Sequence, residues 1–146
     1  MNVVYIHTHD MGRWISPYDL PDAPTPALAA FAREATRFTQ AFSAAPTCSP
    51  SRATLLTGQN AHQAGMLGLA HLGFRLSHPE RHLAYFLRGH GYRTLLFGVQ
   101  HESDSPAEIA GRYERVSNSP VKDYRDPAGF IVSDRANACA AADFLR

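Results

Sequence analysis

The run NVVYI over residues 2–6 is β-branched and aromatic throughout and passes straight into the polar stretch HTHDMGR. Such a run predicts a buried parallel strand whose carboxyl end carries polar chemistry. Pro24 and Pro26 then open TPALAAFAREATRF, where Leu28, Phe31, Ala32, Ala35 and Phe38 recur at helical spacing. QAFSAAPT reads as a short strand or a connector, and a helix starts near Pro50, because proline is tolerated in a first turn. After a glycine-rich loop over 58–78, PERHLAYFLRGHG predicts a helix stopped at Gly89 or Gly91, followed by the strand YRTLLFG over 92–98. Residues 100–129 carry no clear period. The last stretch predicts a helix capped by Ser133 and running to the final residue.

Strands alternating with helices predict an α/β fold, a parallel-rich sheet with helices on both faces and ligands near the carboxyl ends of the strands. His9 and Asp10 follow the first predicted strand, and His101 follows TLLFG. Tyr5, Phe31, Phe38, Phe86 and Phe97 fit apolar faces and are assigned to the core. Alternation turns His7 away from His9 into packing, whereas His62, His78, His82 and His90 read as surface residues. His71, in the loop just after the cysteine helix, is a candidate for touching substrate.

Composition narrows the options. The chain has 146 residues, the size of one domain, and its formal charge of +1 gives no reason to expect nucleic acid or an anionic membrane as partner. No apolar run approaches the roughly 20 residues that span a bilayer, and no charged leader precedes the first strand, which implies a cytoplasmic location. Lys122 is the only lysine among 14 basic residues, so an anion site here is built from arginine, histidine or backbone N–H groups. Of two cysteines, Cys139 lies in an alanine-rich helical pattern and reads as a small buried side chain.

Cys48 stands apart, in TCSPSRATLLTG over 47–58. A cysteine at a helix entry lies in the positive field of the helix N-terminus, which favours a thiolate or a bound anion. The order Cys48, Pro50, Ser51, Arg52, then Leu55, Leu56, Thr57 and Gly58 resembles the signature of the type I sulfatases, an alkaline-phosphatase-like α/β family. The resemblance implies that Cys48 is oxidised to Cα-formylglycine by a formylglycine-generating or anaerobic maturation enzyme, and that its hydrate is the nucleophile. Arg52, one helical turn on, would hold the hydrate and offset its charge. A divalent metal, calcium with magnesium or manganese as alternatives, would be bound by Asp10 and the modified Cys48.

Two positions depart from the family. His9 stands where sulfatases have the first of two aspartates; calcium and magnesium prefer oxygen, so the imidazole either shifts the metal choice or does not coordinate. In GVQH, Val99 replaces the family's sulfate-binding lysine while His101 is retained to take the hydrate's proton, leaving Arg13 or Arg75 to compensate for the lost cation. THDMGR and GMLGLAHLGF are similar to a bacterial branch related to the heparan N-sulfatases. The implied activity is hydrolysis of a sulfate ester or sulfamate on a small molecule or glycan. A phosphonate or phosphate monoester hydrolase is the rival within enzymes, and a non-catalytic truncated relic the rival outside them. Because the family's second metal-ligand segment comes later than residue 146, the chain is expected to be the N-terminal segment of a single sulfatase domain.

Overall fold

The computed structural model describes residues 1–18, 23–119 and 125–146, with the side chain of Arg115 outside the description. Lys122 therefore lies outside the described residues. The chain divides into two compact units, Met1–Phe42 and Ser43–Arg146.

In the first unit, residues 2–6 belong to no strand, and Val3, Val4, Tyr5 and Ile6 are exposed. This corrects the predicted buried strand: a strand needs a ladder partner, and none pairs with this run among the described residues. His7 is likewise exposed, with its ring against Tyr5, rather than packed inward. Past a tight turn, a 3-10 turn at Ser16–Tyr18 is clasped to the start of α1 (Pro26–Ala32): Ser16 N donates to Thr25 Oγ1 at 3.0 Å and Thr25 N donates to Ser16 Oγ at 2.8 Å. The Tyr18 hydroxyl donates to the Phe38 carbonyl, and Arg37 donates to that of Pro17. Phe31 and Phe38 are exposed, contrary to the core assignment, because polar and backbone contacts rather than apolar packing close this unit.

The second unit is built on α2 (Cys48–Thr57), which starts two residues before Pro50 and ends at Gly58 in the left-handed region. Behind it lie α3 (Ala61–Ala64), capped by the Asn60 side chain, and a glycine-punctuated loop. Ala53, Ala64, Met66 and Leu76 form the apolar cluster, with Ala53 and Met66 fully buried. The turn that seats Met66 depends on Gly65, at φ +77°, where a Cβ would come within 2.1 Å of Ser77 Oγ. Gly58 has a similar φ of +66° but open space around it.

A 3-10 turn at Pro79–Arg81 leads into α4 (Leu83–Gly89), whose N-cap is His82: its Nδ1 accepts from Ala84 N at 3.1 Å. Then comes β1 (Leu95–Phe97), shorter than predicted, and α5 (Pro106–Arg112), which returns the chain to β2 (Arg115–Ser117). β2 pairs parallel with β1 in the register Leu95 to Arg115, Leu96 to Val116 and Phe97 to Ser117. α5 and β2 fall within residues 100–129, the span without a clear period. Arg93 and Glu114 clamp the entrance to the pair, with guanidinium to carboxylate contacts of 2.6–3.1 Å.

The final helix, α6 (Pro127–Leu145), is capped by Asp126 and not by Ser133. Ser133 lies buried within it, one turn from Asn137, and both bind residue 119 after β2: the Ser133 hydroxyl donates to the Ser119 carbonyl, and Asn137 Oδ1 accepts from Ser119 N at 2.9 Å. The sequence offered a serine suited to capping, but Asp126–Pro127 provides an earlier start. Phe144 packs against the half-buried Phe97 at 6.1 Å, whereas Phe86 and Cys139 are exposed, contrary to their buried assignment. Two strands of three residues offer too little sheet face to cover them. No helix among the described residues is long and apolar enough to cross a membrane.

Two stability predictions follow from this packing. Gly65→Ala should lower the thermal midpoint by the equivalent of about 1–3 kcal/mol, from positive-φ strain together with the clash at Ser77, and Gly58→Ala should cost less because only the strain applies. Thermal denaturation of both variants measures the difference. The Arg93 hydrogen bond holds the Glu114 carboxyl below its ordinary value. A depressed carboxyl contributes stability that is present above its unfolded value and lost as pH falls through the folded one. Glu114→Gln should therefore flatten the acid side of the midpoint-against-pH curve, slightly, since the pair is solvent-exposed.

Candidate active site

Cys48 is the first residue of α2, and Pro50 falls in the first turn, where a missing N–H costs no intrahelical bond; the earliest such bond runs from Ser51 N to the Thr47 carbonyl. Ser43 steadies the approach, its hydroxyl 2.8 Å from that of Ser51. The thiol of Cys48 is free and half-buried. At i+4 on the same helix, Arg52 shares its face and is almost fully buried.

Arg52 NH1 donates to the carbonyls of Val99 and Gln100, at 3.4 and 3.2 Å. The arginine of the signature therefore reaches across to the loop after β1, and that loop carries His101. A ring nitrogen of His101 lies within 4.8 Å of Cys48 Sγ. Cys48, Arg52 and His101, read from two distant stretches of sequence, stand together. His101 adopts φ +63°, which a residue with a Cβ takes at a cost. The loop supports it: Gln100 Oε1 accepts from Glu102 N at 2.6 Å and from Ser103 N at 2.9 Å, while Gln100 Nε2 donates to the Ser103 carbonyl.

His71 lies on a 3-10 turn, Ala70–Leu72, tied to the residue after the cysteine: Ala70 N donates to Ser49 Oγ at 3.2 Å, and Ser49 is buried. The loop histidine is thus fixed to the start of α2. Arg75 is exposed, four residues further on. Val99 is 44% exposed, so its side chain fills no core and only its carbonyl is engaged by Arg52.

His9, Asp10 and Arg13 belong to the first unit. His9 Nδ1 is 3.1 Å from Asp10 Oδ2, and Asp10 sits at φ +54° with an exposed carboxylate. Arg13 lies over the Tyr18 ring at 5.4 Å.

Beneath the His101 loop is a buried charged cluster that the sequence reading missed. His82, Glu102 and Arg112 are each no more than 1% exposed, so the surface assignment of His82 is corrected. Glu102 Oε2 is 3.9 Å from His82 Nε2 and 4.0 Å from Arg112 NH1, and Arg112 NH2 reaches Glu108 Oε2 at 3.1 Å. Ser103 Oγ donates to the same Glu108 oxygen at 2.7 Å. Burial, and then the Glu102 carboxylate, push the Tyr113 phenol above its ordinary value, with Arg112 and Arg52 opposing. These residues come from three separate segments, and each alone has the composition of a solvated surface. Only the i, i+4 spacing of Glu108 and Arg112 was visible in sequence.

A cysteine at a helix start, a buried arginine one turn on and a histidine after a strand stand together here, and the family they fit is of the alkaline-phosphatase-like superfamily. The sulfatase family model matches residues 1–143, and the chain belongs to the sulfatase family. It is similar to human N-sulphoglucosamine sulphohydrolase, 38% identical over 103 residues, covering 68% of this chain and 20% of the relative. It is also 39% identical over 101 residues to an ulvan-active sulfatase of Formosa agariphila, covering 68% and 19%, and 36% identical over 110 residues to an arylsulfatase of Klebsiella aerogenes, covering 68% and 23%. The chain spans about a fifth of the length of these curated relatives. No solved structure matches it.

The Arg52 bridge gives a direct prediction. Arg52→Lys keeps the charge but loses the planar fork that meets two carbonyls, and should destabilise the second unit by about 1.5–3 kcal/mol, the range for hydrogen bonds to charged groups. Faster amide exchange over residues 99–103, measured by mass spectrometry, is the expected local signature, and unchanged exchange there would show that the bridge does not hold the loop.

Proposed function

We propose that this chain carries the nucleophile end of a sulfatase that hydrolyses a sulfate ester or sulfamate. The observation that supports it most is the pairing of the Cys-x-Pro-Ser-Arg sequence at the start of α2 with a His101 nitrogen within 4.8 Å of the cysteine sulfur.

Cys48 stands for the formylglycine precursor. Its place fits that group: the side chain is half-buried at a helix entry, next to backbone N–H groups that favour negative charge. When formed, the hydrated aldehyde supplies two hydroxyls on one carbon, one to attack sulfur and one whose deprotonation releases sulfate. His101 is positioned to accept a proton there at a ring nitrogen. Arg52, held by the loop carbonyls, adds a fixed positive charge beside the site of attack and needs no reorganisation as charge builds. His71, fixed through Ala70 and Ser49, is the candidate for substrate contact from the following loop. With Val99 in place of a lysine, the compensating cation is assigned to Arg13 or Arg75.

For the metal, Asp10 is the oxygen donor, and His9 is engaged with that carboxylate at 3.1 Å. Among the described residues, Asp10 joins no group of three ligand side chains. A hard cation such as calcium takes six to eight oxygens, so Asp10 is one member of a set and no step is routed through the ion. Sulfated small molecules or glycans are the proposed substrates, in line with the names of the relatives, and a formylglycine-forming enzyme is the proposed partner acting on Cys48.

Co-expression of the full-length protein with a formylglycine-generating enzyme should make the Cys48 peptide about 18 Da lighter, the change from thiol to aldehyde. The converted protein should cleave an aryl sulfate, and Cys48→Ala should not. Faster cleavage of an aryl phosphonate or phosphate than of the sulfate would favour the related phospho-hydrolase instead. Conversion without hydrolysis of any of these esters would favour a non-catalytic relic.

A further inference from the structure

We infer that Glu102 is a positioning residue: buried between His82 and Arg112, its carboxylate holds the left-handed turn that presents His101 to Cys48. The inference rests on the role proposed for His101 above and extends it to a residue that touches neither substrate nor nucleophile.

A non-glycine residue stays at φ +63° only where its surroundings over-determine it. Three constraints act on this turn. Arg52 holds the carbonyls on its N-terminal side. The Gln100 side chain folds over the amides of Glu102 and Ser103. The third is Glu102 itself, whose side chain enters the protein immediately after His101 and is 1% exposed. There it meets the N-cap of α4 and the last residue of α5, at 3.9 and 4.0 Å. Those separations exceed hydrogen-bond length, and Glu102 Oε2, His82 Nε2 and Arg112 NH1 have no hydrogen-bond partner among the described residues.

The attraction is therefore one of charge across a poorly screened interior, which acts over longer range than a hydrogen bond. His82 is oriented for it: because Nδ1 accepts from Ala84 N, the ring proton lies on Nε2, facing Glu102. Arg112 divides its guanidinium between Glu108 and Glu102. Moving Glu102 out would leave that arginine partly uncompensated at full burial, so the turn and the cluster hold each other in place.

The test is a double-mutant cycle in the full-length, converted protein, with kcat and KM measured on an aryl sulfate for wild type, Glu102→Gln, His101→Ala and the double variant. Glu102→Gln should lower kcat about 100-fold, the scale of a 1 Å misplacement, with KM unchanged, and the double variant should lose no more than His101→Ala alone. Additive losses, an unchanged kcat, or an effect on KM alone would overturn the inference. If Glu102→Gln does not fold, the same cycle with Arg112→Lys, which displaces the counter-charge, reads the same coupling. If the wild type cleaves no ester, the proposed reaction fails, and crystal structures of wild type and Glu102→Gln decide the positioning role. A His101 turn that leaves the positive-φ region in the variant supports it, and an unaltered turn refutes it.

Discussion

The guanidinium of Arg52 is the contact on which the geometry of the candidate site depends. It joins α2 to carbonyls 47 and 48 residues further along the chain and so ties the cysteine helix to the histidine loop. An ammonium group would be a poorer substitute, since two neighbouring carbonyls are best met by a planar, permanently charged donor. The same positive charge then stands near the place where a reacting anion would develop. Under the proposed function, structural and chemical roles fall on one side chain.

Behind α2 the packing is economical. Ala53 and Ala64 let the helices approach closely, Met66 fills the remaining volume, and Gly65 takes the backbone conformation that delivers Met66 inward. The GMLGL stretch is in this light a packing device as much as a family mark: Gly68 lies against the Phe74 ring, which leaves no room for a Cβ. The small core locks the start of α2 and, through Ser49 and Ala70, the loop that carries His71.

On the opposite side of the His101 loop, burial falls on charge instead of on apolar surface. A histidine, a glutamate and an arginine withdrawn from water are costly, and replacing such a group with packed apolar residues often leaves stability unchanged or improved. Their presence is better explained by what they fix than by what they add to stability. They fasten the loop after β1 to α4 and α5, alongside the hydrogen bond from Ser103 to Glu108.

The sequence by itself determined the local chemistry. Cys48, Pro50 and Arg52 were legible because a helix entry and an i, i+4 spacing are local geometry, and His101 because it follows a strongly apolar strand run. The helices from Pro26, from Cys48 and after His82 were likewise visible in period and punctuation. What only the tertiary structure decided is which groups share a buried space. Residues 2–6 have a strand composition, yet pairing needs a ladder partner that composition does not supply. His82, Glu102 and Arg112 look like surface residues one at a time, and their burial comes from three segments converging. Ser133 has the right chemistry for a cap, but the backbone of residue 119, brought alongside by β2, gives its hydroxyl another partner. Spacing along a chain fixes neighbours within one turn or one strand, whereas the dielectric, the partner and the exposure of a side chain depend on segments far away in sequence, and those set its chemistry.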